Sequence, residues 1–515
     1  SAVAPEGMDF EARADRPYRR ERVVADKRAL VRAYGNAGFV RAEADNETVA
    51  RDSLARVDVT YEVKRGAPVV FDTLLVNVRR AAADDSLGGL TREDLLRSLV
   101  PYHRGDTIRV DDNDKVIEKL QSTGLYNTVR IEDTLLPGGK GSVLTLDVEE
   151  KVPGRLHASV FYETQYGFGV AGDVSHSNVA GTLKEARIGS GLAQDKQYGT
   201  VGFGSPLLFG YLLRFDNDFT VEWFQDKLPD ESPFHGDLRV ANTANVSRNF
   251  TAWLRGVAGA ELEYKNRIVA DSVGDLSREK GGLLNVTTTG FASFLDQPLN
   301  PTRGVRFALT VGNGGPILQD GDLNVVQKRH NWVEARSATY TYPSWLPQAK
   351  FAFRLDGGRF FGAGGQNADR FFLGGPRSVR SYGFRQVCAD VPPPDEGSCP
   401  LDQDALEPAY FLVSAEARLS PFAFASVPSR GFAGFFRPLD VVPFVDYGKV
   451  WNLRSENFSF SRDFLESGYG KAVAYGGGIR YPLLGIFSMR LDLAWGRPGN
   501  GSWPDQWVID LAQAF

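Results

Sequence analysis

The chain has 515 residues, rich in Gly (55), Phe (34), Tyr (18) and Trp (8) but with 2 Met and 2 Cys, and its mean hydropathy is slightly negative. It contains no run of about 18–20 apolar residues, which excludes a helical membrane protein; a transmembrane barrel needs only segments of about ten residues with alternate positions apolar. The net charge of −5 gives no electrostatic case for nucleic acid as a partner.

Ser1–Phe10 lacks a basic stretch leading into an apolar one, and reads as a mature or trimmed start rather than a secretory signal. Up to about residue 152 the pattern mixes helix and strand. Val23, Val24, Leu30, Val31 and Tyr34 have helical spacing across 18–34, and alternating segments follow at 39–45 and 55–63. A strand is expected at 69–79, then a short helix from Thr91, where Thr91 and Asp94 form a capping-box-like start. A second helix at 112–123 ends on Gly124. Strands at 125–133 and 142–151 close this stretch. Segment 35–45 answers 122–133, and 57–68 answers 143–154, so the region repeats one phrase. The first copy lacks a clear leading strand and helix. The Asp111–Asp114 cluster is read as a solvated helix start, not a metal site.

From about 155 helical periodicity disappears. In 410–419, Phe411, Val413, Ala415, Ala417 and Leu419 oppose Ser414, Glu416 and Arg418. In 351–357, Phe351, Phe353 and Leu355 oppose Arg354 and Asp356. In 487–495, Phe487, Met489, Leu491, Leu493 and Trp495 oppose Ser488, Arg490, Asp492 and Ala494. At about 22 residues per strand and connection, this stretch makes an antiparallel transmembrane β-barrel of about 16 strands. Its first strand is expected near Arg155–Tyr166 and its last near Trp503–Phe515. The last places Trp507, Ile509, Leu511 and Phe515 on one face, with Gln513 as the exception, and resembles the C-terminal recognition signal of bacterial outer-membrane proteins; the alternative is an ordinary edge strand. Cys388 and Cys399 flank one Pro-rich stretch; they are either a disulfide formed in an oxidising compartment or two unpaired thiols. A GxGxxG pattern at 167–172 lies within alternating strand and opens no helix, so it carries no nucleotide site. No catalytic constellation, metal site or cofactor motif is legible, and nothing supports an enzyme.

The most specific stretch is 370–385, RFFLGGPRSVRSYGFR. With Gly374, Gly375, Val379, Arg380, Ser381, Tyr382 and Gly383, it resembles the lumenal loop of the BamA/TamA-type outer-membrane insertase superfamily. Ser381 stands where that family usually has Gly, which puts a positive φ there in question; Gly383 is the alternative bearer. Segment 443–451 resembles the family's Phe-x-Asp-x-Gly strand, with Phe444, Asp446 and Gly448. Segment 476–495 resembles its glycine-rich strand and the strand after it, carrying Asp492. Segment 294–307 resembles its Asp-x-x-x-x-Pro-Thr-x-Gly turn. Segment 177–183 resembles its Asn-x-x-Gly hairpin after the first strand. The helix–strand phrase before residue 152 resembles the β-α-α-β-β polypeptide-transport-associated (POTRA) domain.

The resemblance implies POTRA domains at 1–68 (truncated or degenerate) and 69–152, then a barrel at 153–515. It also implies residence in the bacterial outer membrane with the N-terminal domains in the periplasm. Arg380 is then a latch pinning the loop to Asp446, with Asp492 as the less certain partner; the bland alternative is an Arg that merely solvates the lumen. The implied partners are unfolded outer-membrane or autotransporter clients, outer-membrane lipid and a periplasm-spanning protein. Within the superfamily the short POTRA array and the Gln513-Ala514-Phe515 ending favour a TamA-like translocation and assembly factor. A BamA-type general insertase and a two-partner secretion pore are the nearest alternatives. From other classes, a passive porin or an envelope-anchoring protein would leave residues 1–152 or the Arg380 loop without a purpose.

Overall fold

The computed structural model describes residues 10–512 except 14–15, 52–55, 81–89, 138–140, 164–166, 227–234, 271–275, 298–300, 320–329, 347–348, 362–370, 372, 384–385, 388–407, 424–435, 437, 453–469, 484–486 and 497–504. Two compact units result. One is Ser1–Arg155 with Ser175–Ala186 and Ser205–Leu212; the other is Leu156–Val174 with Arg187–Gly204 and Leu213–Phe515.

In the first unit, α1 (Arg20–Asn36) precedes an antiparallel hairpin of β1 (Glu43–Arg51) and β2 (Arg56–Lys64). Val23, Leu30 and Tyr34 turn one face of α1 inward, and Tyr61 and Val63 of β2 pack against the core that Leu30 and Tyr34 form. Asp26 is buried on the same face, where it accepts the Glu11 and Ala12 N–H groups and the Tyr61 hydroxyl. A buried carboxylate needs that many donors to repay its lost hydration. Next come β3 (Phe71–Arg80), α2 (Glu93–Leu99), α3 (Val110–Ser122), β4 (Tyr126–Leu135) and β5 (Ser142–Glu150). The sheet order is β3-β5-β4, with β3 parallel and β4 antiparallel to β5. This follows from the connections: the two helices lead into β4, which runs opposite to β3, and the short turn after β4 makes β5 antiparallel to β4 and so parallel to β3. Leu96, Ile108, Val116 and Leu120 close the helical layer over Leu144, Leu146 and Val148. Asn36 donates to Asp111 and accepts that residue's N–H, at 2.7 and 2.9 Å, tying α1 to the start of α3.

One expected detail is corrected here. The residue before α2 is Arg92, and α2 has no side-chain cap. The Thr91 hydroxyl is committed instead to Glu150, which lies at the end of β5. A buried acceptor outcompetes an exposed helix end for the same hydroxyl.

In the second unit the described strands are β6 (Gly154–Glu163), β7 (Gly167–His176), β8 (Glu185–Ala193), β9 (Lys196–Ser205), β10 (Arg214–Asp226), β11 (His235–Asn249), β12 (Leu254–Ala270) and β13 (Leu276–Ser293). They continue as β14 (Gly304–Gln319), β15 (His330–Thr341), β16 (Ala349–Phe361), β17 (Pro408–Leu419), β18 (Asp440–Asn452), β19 (Lys471–Leu483), β20 (Phe487–Trp495) and β21 (Gln506–Ala512). They form one closed barrel in which each strand pairs with the next in sequence and β21 meets β6. The Asn-x-x-Gly turn at 177–183 therefore follows the second barrel strand, not the first, because two strands precede it.

Polarity across the wall is the reverse of a soluble protein's. Phe353, Leu355, Val441, Val445 and Val473 are exposed, while Ser414, Glu416, Arg418, Asp446 and Asp492 are buried. Apolar side chains outward and charges inward is what a lipid solvent selects. Among the described residues no helix is long and apolar enough to cross a membrane; the strands cross it.

Candidate functional site

Part of the connection between β16 and β17 lies inside the barrel. Its described part, Phe371, Leu373–Gly383 and Gln386–Val387, packs with inward-facing residues of the six strands β15 to β20. Leu373 and Val387 form an isolated bridge at its base. Gly374 and Gly375 have φ of +101° and +103°, and a Cβ on Gly374 would lie 2.3 Å from the Gly383 carbonyl. Only glycine fits a backbone turned that tightly. The positive φ therefore falls on this pair; Ser381 and Gly383 carry none. The serine costs nothing in strain, and its hydroxyl donates to the Val473 carbonyl at 3.2 Å. Gly375 N–H donates to the Tyr382 carbonyl at 2.9 Å, closing the turn that presents Arg380.

An apolar contact and an ionic one hold the loop. Phe371, Leu373, Val379, Tyr382 and Val387 pack with wall residues that include Trp332, Phe360, Tyr410 and Ala474. Gly448 makes this approach possible: a Cβ there would lie 2.6 Å from Leu373 Cδ1 and 2.7 Å from Val379 Cγ2. Beside this contact lies Arg380, only 3 % exposed. Its Nε and Nη2 donate to the two oxygens of Asp446 at 2.7 and 2.8 Å, and its Nη1 to Glu416 at 2.8 Å and Asp492 at 3.0 Å. Its backbone N–H also reaches Asp446, and its guanidinium lies over the Phe444 ring, 3.5 Å from the centroid. A planar fork of donors is the group that can serve three carboxylates from one position.

The acids have further cationic partners. Arg480 binds Asp492 and, at 3.1 Å, Glu416; Arg490 donates to Asp492 at 2.8 Å; Arg418 lies 3.2 Å from Glu416. Four arginines thus enclose three carboxylates. Buried charges hold together only when nearly every donor and acceptor is used, and here each carboxylate binds at least one guanidinium. Glu416, Arg480, Arg490 and Arg418 were not among the site residues expected from sequence. The signal that could have found them is their place on the polar side of alternating strands.

Of the other expected residues, Trp507 and Ile509 face outward on β21, 52 % and 37 % exposed. The backbone of Leu511 is in the same strand, while Phe515, Cys388 and Cys399 lie outside the described residues. Among the described residues no group of His, Cys, Asp and Glu could hold a metal ion. The chemistry available is charge-assisted binding within the lumen.

Residues 178–506 match the Omp85 superfamily domain, and residues 8–66 match the POTRA family described as a surface antigen variable number repeat. The outer membrane protein assembly factor BamA of Nitratidesulfovibrio vulgaris is 23% identical over 375 residues, covering 70% of this chain and 44% of that protein. The chain thus spans less than half the length of that relative. BamA from Haemophilus ducreyi lacking POTRA domains 1–3 has a similar fold, with a TM-score of 0.66 at 12% identity over 97% of this chain and 94% of that one. CdiB from Acinetobacter baumannii gives a TM-score of 0.48 at 13% identity over 95% and 79% of the two chains.

Proposed function

Because the chain belongs to the Omp85 superfamily, we propose that it is a TamA-like assembly and translocation factor. In this reading its POTRA domains receive unfolded outer-membrane or autotransporter polypeptides, and its barrel inserts or secretes them through a lateral seam. The protein is an outer-membrane β-barrel with N-terminal POTRA domains in the periplasm. The domain limits that fit this reading are 1–68 and 69–152 for the POTRA domains and 153–515 for the barrel.

The observation that carries the proposal is the junction of β21 with β6. Among the described residues it consists of one backbone pair, Asp510↔Glu163. On its other side β21 pairs with β20 continuously, from Ala512↔Ser488 to Gln506↔Ala494. Unpaired backbone groups in lipid cost several kcal/mol each. An edge released at this junction is therefore a template that a client strand can occupy at a net gain. Client folding and burial in lipid supply the driving force, and no nucleotide or cofactor is required. Arg380 acts as the latch that keeps the loop seated, with Asp446 as its main partner.

The test is reconstitution of the chain in phospholipid vesicles, followed by addition of a urea-unfolded autotransporter barrel. Faster acquisition of protease resistance by the client than in empty vesicles is the expected result. Ion conductance without any acceleration would make the chain a passive porin. Equal acceleration of barrels with and without a passenger would favour a BamA-type general insertase.

A further inference from the structure

The turn between β7 and β8, Ser177–Lys184, belongs to the first unit rather than to the barrel body. It is built unlike a simple connection. Ala180, Gly181 and Leu183 all have positive φ, of 50°, 69° and 58°. Two left-handed residues that are not glycine are costly unless the surroundings impose them. Here they do. Leu183 is 5 % exposed and sits in the same apolar core as Leu96, Leu120 and Leu146. Asn178 is 1 % exposed; its Oδ1 accepts the Leu183 N–H at 2.8 Å and its Nδ2 donates to the Thr91 hydroxyl at 2.9 Å. That hydroxyl is bonded in turn to the buried Glu150 carboxylate and, at 3.0 Å, to the Tyr126 hydroxyl. Thr91 N–H donates to the same Glu150 oxygen at 2.7 Å. Arg92 N–H donates to the Gly181 carbonyl at 2.9 Å, and a Cβ on Gly181 would lie 2.4 Å from the Leu90 carbonyl.

We propose that Ser177–Lys184 is a plug seated in the second POTRA-like fold, that Thr91 and Glu150 are its receptor, and that seating it is required for client insertion. The last clause rests on the assembly reading above. The physical argument is chain continuity. The turn runs directly into β7 and β8, and β7 follows the seam strand β6, so the seat and the seam are linked by unbroken chain. A turn that only had to reverse the chain would gain nothing from burying an asparagine or from two strained residues. Thr91 is thereby a positioning residue that acts through Asn178.

The test uses the full chain in phospholipid vesicles and compares Thr91→Val, Thr91→Ser, Asn178→Ala and Gly181→Val with the wild type. Amide hydrogen exchange at Arg92 and Leu183 reads the seat. Both amides should be protected in the wild type and in Thr91→Ser, which keeps the hydroxyl. They should exchange at least about tenfold faster in Thr91→Val and Asn178→Ala, the effect of one lost buried hydrogen bond. Gly181→Val should expel the turn outright. Insertion of a urea-unfolded client should fall at least about fivefold in the same three variants, with barrel integrity checked by heat-modifiable migration. Fast exchange at both amides in the wild type would show that the plug is not seated. Released amides with undiminished insertion would remove its role. Lack of insertion by the wild type would overturn the assembly reading and the plug's role with it, while the exchange measurement fails only if the seat itself is wrong.

Discussion

Arg380 and Asp446 meet edge to edge: Nε and Nη2 of the guanidinium donate to separate oxygens of the carboxylate at 2.7 and 2.8 Å, with both residues almost fully buried. The pair joins residues 66 positions apart, one on a loop with tight glycine turns and one on a barrel strand. Because Nη1 remains free for Glu416 and Asp492, one side chain ties the loop to three strands at once.

Replacing Arg380 by Ala should leave a folded barrel and release the loop, impairing client insertion. Removing one partner of a buried pair typically costs about 3–5 kcal/mol, expressed here as loss of loop docking. Asp446→Asn should give a similar defect, and the double variant far less than the sum, since the two residues form one interaction. Asp492→Asn should be milder, because Glu416 still holds both Arg380 and Arg480. Limited proteolysis of the loop and an insertion assay measure both effects; additive defects at 380 and 446 would mean that the residues act separately.

Gly448→Val tests the apolar half of the loop's seat. The new side chain would begin within 2.7 Å of both Leu373 and Val379, and overpacking of this kind costs roughly 1–3 kcal/mol. The loop should become protease-sensitive with the Arg380 cluster chemically intact. Unchanged resistance would mean that the loop does not pack as described.

The barrel and the loop were legible because lipid and lumen impose a strict two-residue period, and because Gly374-Gly375 and Phe444-x-Asp446-x-Gly448 mark the two sides of one contact. Glu416 and Arg480 were harder to see. Each is one charge among many on polar strand faces, and it acquires a partner only when β17, β18, β19 and β20 take their registers. Thr91 misled the reading of its segment for the same reason. A Thr three residues before an acid fits a local cap, but its actual partner, Glu150, is 59 residues away. Local pattern identifies elements; it does not rank a nearby acceptor against a distant buried one.

The turn between β13 and β14 should respond to acid. Asp296 accepts the Thr302 hydroxyl and the N–H groups of Arg303, Thr302 and Gln297. Those bonds, the hydroxyl's first, hold its carboxyl down at about 2 from an ordinary 3.8. A depressed folded value means that the contribution is complete above about pH 4 and is lost as pH falls through about 2. The carboxyl resonance should titrate in that window, and Asp296→Ala should loosen the turn at neutral pH. Titration of that resonance near 4 would show that the bonds do not persist.

Cys388 and Cys399 are expected to be joined, on the strength of their spacing and an oxidising compartment. In the entropic picture the bond would stabilise its loop by up to roughly 3 kcal/mol. Alkylation of the unreduced protein followed by mass measurement should find neither thiol labelled. Two labelled thiols would reject the bond.

The seam gives the sharpest separation of an insertase from a pore. Glu163 and Asp510 are backbone partners in antiparallel strands, so their Cα atoms lie within the roughly 7 Å that a disulfide tolerates. Glu163→Cys with Asp510→Cys should therefore crosslink, read as a band that reduction shifts after cleavage between the two positions. Neither segment has a native cysteine, so once Cys388 and Cys399 are replaced the bond is unambiguous. If clients enter by pairing with a released edge, the oxidised protein should insert none, because the β6–β21 edges can no longer part to offer their backbone groups to them. Conductance should be unaffected, since the lumen is untouched. Reduction should restore insertion within the same sample, which removes misfolding of the variant as an explanation. Full insertion with the crosslink verified would reject entry through the seam and leave translocation through the lumen or a role confined to the periplasmic domains.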